Sequence, residues 1–393
     1  MTRILVTDAD ERAALTLVRA FGKRGHEVEL LAPHKRPLAA ASRYCRRLHV
    51  GPSPLDPPPF VDCVSVLVRD RGIEVVLPVT EAAALALLPP PIRDRLRPAV
   101  VPFPDFDRFR AVCDKGAVLH AAADEGVSVP EQLVIAGRRI PEGDRERLRF
   151  PLVVKPTRSV GGSGNRRLKF TVSHADDPAE LEGILERLPP EGYPVLLQRR
   201  VLGPGLGVFL LVWDGEVRAE FGHRRLREKP PAGGVSVYSE STPLDPGLRD
   251  QSVRLLQRLG WQGVAMLEYK LEEESGTPYL MEINGRFWGS LQLALDAGVD
   301  FPNLLLDCFA GRAFDPPRFQ TGVRLRWWWG DVDHLLARLR HSRRTLHLTS
   351  DARGRGRVIA DFLKLRPSDC WETWRRDDPR PFVRESMRWL LRK

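Results

Sequence analysis

Cysteine is scarce in this chain. Five residues in 393 (Cys45, Cys63, Cys113, Cys308 and Cys370) are odd in number and scattered, with no C-x-x-C pair. That excludes a disulfide framework and a cysteine-built zinc site, and a reducing cytoplasm is the expected setting. Long apolar runs are missing too: nothing approaches the roughly 18 uninterrupted residues of a membrane span. The start, Met1 to Asp8, runs directly into a strand pattern and lacks the apolar region and cleavage site of a signal peptide. The nine histidines show no H-E-x-x-H spacing. Nor is there a Ser-His-Asp set or a cysteine nucleophile. After the first strand pattern, Thr7-Asp8-Ala9-Asp10 offers no G-x-G-x-x-G, which argues against dinucleotide binding there.

Charge is plentiful and unevenly placed. The formal net charge is +10, and Arg324–Lys393 holds 18 Lys and Arg against nine Asp and Glu. Such a basic tail suits an anionic membrane surface or partner, and a solvated helical face is the plainer alternative. Arg324-Leu325-Arg326-Trp327-Trp328-Trp329 lies in it, with Trp371, Trp374 and Trp389 further on. A tryptophan-rich packed core competes there with basic amphipathic helices that dock on an anionic surface.

Patterning divides the chain. Up to about residue 106, strand patterns (Arg3–Thr7, Glu27–Ala32, Glu74–Val79, Ala99–Phe103) alternate with helical ones (Glu11–Arg24, Phe60–Arg71, Glu81–Leu88). That alternation predicts a parallel sheet with helices on both faces. Ligands sit beyond the carboxyl ends of such strands, which singles out Thr7, Asp8, Thr80 and Glu81. Alternatively Thr80 only caps the following helix, with Glu81 in its first turn. From Asp107 to Val129 the pattern is helical and contains Lys115. Further strands are expected at 150–156, Tyr193–Gln198, Gly207–Trp213, Glu216–His223 and Gly263–Tyr269, with a helix at Arg249–Leu259.

Three segments carry chemistry. The first is Val153-Val154-Lys155-Pro156, followed by a loop from Thr157 to Asn165 that includes Ser159, Gly161, Gly162, Ser163 and Gly164. Glycines let backbone N–H groups turn toward phosphate oxygens, and a lysine on the preceding strand neutralises them. A flexible hairpin connection would look the same. The second is Glu282-Ile283-Asn284-Gly285-Arg286 with Glu268 upstream. Glu282 and Asn284, at i and i+2, share a strand face, and with Glu268 on a neighbouring strand they form the hard-oxygen set that Mg²⁺ uses. Arg286 adds a permanent cation where phosphate charge would collect. The plain alternative is a hairpin whose polar residues face water. The third is Arg224–Gly234, with Arg224, Arg225, Arg227 and Lys229 ahead of Gly233-Gly234. It suggests a mobile clamp closing over an anionic substrate, against an ordinary exposed charged loop.

In this order the segments resemble the ATP-grasp superfamily over roughly residues 1 to 315, most nearly the carbamoyl-phosphate-synthase-like carboxylate–amine ligases. The motifs are Asp114-Lys115 before Gly126-Val127-Ser128-Val129-Pro130, then Lys155 with its glycine loop. Gln198 with Val201 and Gly203 follows, then Glu268 and Glu282 to Arg286. The resemblance implies an α/β, ATP-grasp fold: a Rossmann-like preATP-grasp domain (1–106) and an ATP-grasp domain with linker helices, lid and metal-binding subdomain (107–315); the helical, basic extension (316–393) expected after them does not follow from it. It implies ATP and Mg²⁺. Lys115, Lys155, Ser159 and the loop at Gly161–Gly164 would contact phosphates, and Gln198, Arg199 and Val201 would border adenine. Glu268, Glu282 and Asn284 would hold metal. Arg286 would stabilise the transferring phosphoryl group; with Lys155, and with Arg225 and Lys229 from the clamp reading above, it makes up the expected catalytic set. Relatives commonly carry glutamate where Arg199 stands, so adenine or ribose recognition differs here.

The implied reaction joins a small-molecule carboxylate to an amine through an acyl phosphate, releasing ADP and phosphate. A phosphotransferase that stops at the phosphorylated product and a non-catalytic nucleotide-binding scaffold are the alternatives. A biotin-carboxylase-like role is disfavoured, because no biotin carrier segment is evident. His223 is a candidate base toward the amine, or an ordinary loop histidine. No nucleic acid is expected, and a homodimer is allowed.

Overall fold

The computed structural model describes residues 1–162, 166–349 and 352–391. Three mainly apolar runs and one polar strand make the first sheet: β1 (Arg3–Val6), β2 (Glu27–Ala32), the polar β3 (Cys45–Val50) and β4 (Val75–Leu77), all parallel in the order β3-β2-β1-β4. Ile4, Leu5 and Val6 are fully buried, as expected for a strand covered on both faces. Helix Arg12–Lys23 packs its face from Ala13 to Phe21 on this sheet. Helix Pro57–Arg71 starts three residues before the expected Phe60, at a proline tolerated in a first helical turn, and ends at Gly72 with φ +61°. Two expectations differ. The segment 99–103 makes only one bridge, Val100 to Val75. Conversely β3, with Arg46, Arg47 and His49, is too polar to announce itself as a strand.

A second sheet holds β5 (Gln132–Ile135), β6 (Leu152–Pro156), β9 (Ser173–Ala175) and β10 (Val195–Arg199), in the order β5-β10-β6-β9. Between β6 and β9 the two-stranded hairpin of β7 (Val160–Gly161) and β8 (Leu168–Lys169) projects. The expected single helical stretch 107–129 is two helices, Phe106–Val112 and Lys115–Asp124. Asp114 caps the second by accepting from the Ala117 amide at 3.2 Å, so Lys115 is its first residue.

The third sheet has seven strands: β11 (Gly205–Trp213), β12 (Glu216–Lys229), β13 (Val235–Ser241), β14 (Gly263–Leu271), β15 (Pro278–Asn284), β16 (Arg324–Arg326) and β17 (Asp369–Trp371). Its order is β15-β14-β11-β12-β13-β16-β17. The clamp loop expected at 224–234 is corrected here. β12 continues through Arg224–Lys229 and pairs with β13, with two register irregularities around Arg227. Its charges are held by distant partners: Arg227 by Asp331 at 2.6 Å, Lys229 by Asp333, Arg225 by Glu268. Only 230–234 is left to turn the chain.

The C-terminal extension is part of this body. Its β16 and β17 join the third sheet, so it is not purely helical. Fully buried Arg326 pairs with Asp331 at 2.6 Å and donates to the Phe362 carbonyl at 2.8 Å. Five of the tryptophans are packed, while Trp374 is exposed: Trp328 lies 5.2 Å from Trp371, Trp329 stacks on Trp389 at 4.3 Å, and Trp327 donates to Glu385 at 2.7 Å. The packed-core reading therefore describes these five indoles and not Trp374. Among the described residues no helix is long and apolar enough to cross a membrane. Arg19, 3 % exposed, pairs with Asp378 at 2.9 Å and donates to the carbonyls of Glu372 and Thr373. Asp378 also accepts from Ser42 at 2.7 Å and the Arg43 amide at 2.8 Å. Asp378→Ala would strand a buried guanidinium and should lower the unfolding free energy by about 3–5 kcal/mol in denaturant titration. A change below about 0.5 kcal/mol, the size of an ordinary surface substitution, would show that the extension is not part of the core.

Candidate active site

Antiparallel pairing of β14 and β15 sets Glu268 directly opposite Glu282, and Met266 opposite Asn284. Directly opposed carboxylates repel, and the surroundings answer with cations. Arg225 on β12 grips both oxygens of Glu268, at 2.8 and 2.5 Å, in a two-pronged charge-assisted contact. Burial works against the Arg225 charge, but Glu268 and Glu228 outweigh it and hold the guanidinium ionised. Lys115 Nζ lies 3.7 Å from Glu282 and donates to Ser159 at 2.7 Å. Asn284 Nδ2 donates to Glu282 at 3.0 Å, and Arg286 donates to Asn284 Oδ1 at 3.2 Å. Burial would raise the Glu282 carboxyl, yet Lys115, Lys155 and Arg286 leave it below the ordinary range.

A register irregularity just beyond the acid pair, where Tyr269 meets Leu280, leaves Met281 as an extra residue on β15. Its carbonyl accepts from Lys155 Nζ at 3.4 Å. Lys155 comes from the other sheet, on β6, so the cavity lies between the two sheets. Two carboxylates and an amide on facing strands fit a hard divalent cation. Glu268, Glu282 and Asn284 would hold it, with Arg225 as the present occupant of Glu268.

The cavity measures about 550 Å³. It brings together Lys115, Lys155, Ser159, Gln198, Arg199, Val201, Arg225, Lys229, Glu268, Glu282, Asn284 and Arg286. Gly161 lies on β7 and Gly162 just after it, outside this lining, while Ser163 and Gly164 fall outside the described residues. Arg199, at the unusual position, is neutralised by Glu272 at 2.8 Å and lies over the Tyr279 ring at 5.3 Å. Gln198 is turned to Gln132 at 3.1 Å. Thr80 caps helix Glu81–Leu87 by accepting from the Ala83 amide, and neither Thr80 nor Glu81 lines the cavity. His223 is not a loop residue: it is buried on β12 against Phe209, and neither ring nitrogen has a partner among the described residues. Burial, then Arg225, keeps it neutral, and it does not reach the cavity.

Sequence reasoning missed three contributors. Lys270 follows Glu268 at i+2 on β14 and was open to the same face rule; it pairs with Glu228 at 2.8 Å, which in turn supports Arg225 at 3.0 Å. Arg12, at the start of the first helix, lines the cavity, is held by Glu372 and lies 4.0 Å over the Trp327 ring. No local signal marked it, since its partner is 360 positions away.

Residues 193–330 match a family described as "ATP-grasp in the biosynthetic pathway with Ter operon". A "Putative urea carboxylase" of Emericella nidulans is 27 % identical over 173 residues; the match spans 40 % of this chain and only 13 % of that protein's length. The fold is similar to the L-amino acid ligase from Bacillus licheniformis (TM-score 0.58, 19 % identity, 78 % of this chain and 73 % of that one). It is also similar to the biotin carboxylase domain of the Hydrogenobacter thermophilus 2-oxoglutarate carboxylase, solved with MgADP (TM-score 0.61, 17 % identity, 81 % and 72 %).

Lys155, 5 % exposed, titrates about 8: burial pushes its ammonium down, Glu282 opposes this, and Lys115 adds to it. The charge is present below that pH and lost above it. kcat/KM for ATP should therefore fall as pH rises through about 8, and Lys155→Arg should move that limb to higher pH, because arginine stays charged. An unmoved limb in the variant would remove Lys155 from phosphate binding.

Proposed function

We propose that this chain, an ATP-grasp protein by its fold, is an ATP-dependent carboxylate–amine ligase. The observation that carries the reading is the acid pair Glu268–Glu282 with Asn284, ringed by Lys115, Lys155 and Arg286 in one cavity. A carboxylate is a poor acyl donor because oxide would have to leave. When its oxygen attacks the γ-phosphorus of ATP, ADP departs and an acyl phosphate forms. An amine nitrogen then attacks the carbonyl carbon, the bond to the phosphate oxygen breaks, phosphate leaves with the electron pair, and a proton is lost to solvent.

Such chemistry asks the protein for positioning and charge neutralisation, not a covalent nucleophile. Lys115 and Lys155 would bind phosphate oxygens, and Arg286 would offset charge on the transferring group. Mg²⁺ at Glu268, Glu282 and Asn284, when bound, would neutralise phosphate charge. Arg225 aligns Glu268 through its two-pronged contact. Lys229 reaches the cavity edge tied to Asp333, so it acts as a substrate contact only if that pair opens. Gln198, Arg199 and Val201 would border the adenine.

ADP release measured over paired carboxylate and amine libraries, with bicarbonate as a separate acyl candidate, tests the reading. ADP should require both partners. Glu282→Gln should lower turnover by on the order of 100-fold or more with an unchanged circular dichroism spectrum, since it removes a charge aimed at the transition state. ADP formed at the same rate without amine would favour a phosphotransferase, and no nucleotide turnover with any pair would favour a scaffold.

A further inference from the structure

A second cavity of about 210 Å³ adjoins the first, and Arg12 and Lys229 line both. Its walls come from opposite ends of the chain: the segment Asp10–Arg12 after β1, and Trp327, Trp329 and Trp389 of the extension. Its charge differs from that of the first cavity, where cations far outnumber acids. Apart from the two shared cations, Asp10, Glu11, Asp333 and Glu385 stand against Arg384 and Arg388. With Arg12 and Lys229 included, acids and cations balance four to four, which suits a zwitterion better than a phosphate.

Most of these groups are already engaged. Asp10 pairs with Arg388 at 2.7 Å, Asp333 with Lys229 and the Trp389 indole, and Glu385 with Trp327 and Thr373. Three are not balanced by an opposite charge, and Glu385 is one of them, held only by the neutral Trp327 and Thr373 donors. The Glu11 carboxylate, on the exposed side of this second cavity, has no hydrogen bond or ion pair among the described residues. Among the described residues the Arg384 guanidinium meets only the Pro37 carbonyl, at 2.9 Å, and no carboxylate. A free acid and a free guanidinium in one small cavity walled by indoles complement a zwitterion with an apolar or aromatic body.

We propose that this second cavity is the acceptor subsite and that its ligand is a free amino acid. Glu11 takes the ammonium, Arg384 takes the carboxylate, and Trp329 and Trp389 pack the side chain. The amine then lies in the cavity that adjoins the one in which the acyl group is activated. The assignment rests on the ligase reading for what the amine does, but not for whether it binds. It also gives the C-terminal extension a part in substrate choice, beyond closing the sheet.

The test uses the full-length protein, with and without a nonhydrolysable ATP analogue. Binding of the twenty L-amino acids, their N-acetyl derivatives and their methyl esters is followed by calorimetry. At least one free amino acid should bind. N-acetylation and Glu11→Gln should each weaken it by about tenfold or more, as should esterification and Arg384→Gln, because each removes one charge-assisted contact. Affinity for the ATP analogue should stay the same in both variants, which also shows that they fold. Failure of every amino acid to bind wild type in either state, or unchanged affinity in both variants, would overturn the subsite. Amino-acid binding that follows the expected variant pattern, with ADP release that ignores amines, would keep the subsite and sink the ligase reading. Amine-dependent ADP release whose amine KM is unmoved by Glu11→Gln and Arg384→Gln would do the reverse.

Discussion

Glu268 and Glu282 face each other across two hydrogen-bonded strands, and much of the structure can be understood as what makes that placement tolerable. Opposed carboxylates on one strand pair repel. Arg225 reaches from β12 to grip one of them, Glu228 and Lys270 brace Arg225, and Lys115 arrives on the first turn of a helix capped by Asp114. Lys155 is brought from the other sheet and is buried enough to lose part of its preference for charge. The result is a cavity rich in cations around two acids, which suits a nucleotide's phosphates and a divalent cation together.

The same economy of charge governs the rest of the third sheet. Buried arginines are costly unless paired and hydrogen-bonded. Arg326 and Arg227 share Asp331, and Arg19 of the first helix is held by Asp378 near the chain's other end. These pairs tie the extension to the N-terminal unit and to β12. They also put Trp327, Trp329 and Arg12 side by side at the cavity mouth. Glu372, which holds Arg12, is pushed up to about 7 by burial, with Arg12 opposing.

How much of this was legible depended on whether the signal was local. The period-two placement of Glu282 and Asn284, and the apolar run around Glu268, announced the acid pair, and the strand register agrees. Apolar runs likewise announced β1, β2 and β11. Polar strands did not: β3 and the end of β12 carry arginines that look solvent-bound until their partners are known. Arg225 was identified for the wrong reason. It is held in a strand by Glu268 and does not swing on a loop. Arg12 and the tryptophans of the extension met their partners only through tertiary pairing, and no window of sequence contains both halves of such a contact. The break at Asp114 was a capping signal hidden inside a helical pattern, and it is what puts Lys115 at the acid pair.

The central claim is that this cavity activates a carboxylate by phosphorylation. Its most direct test follows oxygen. With the carboxylate substrate labelled with ¹⁸O in both positions, one labelled oxygen should appear in each released phosphate, since the acyl carbon–oxygen bond breaks only after that oxygen has joined phosphorus. Phosphate released without label, with both labelled oxygens still in the product, would contradict the acyl-phosphate route and the reading of the site built on it.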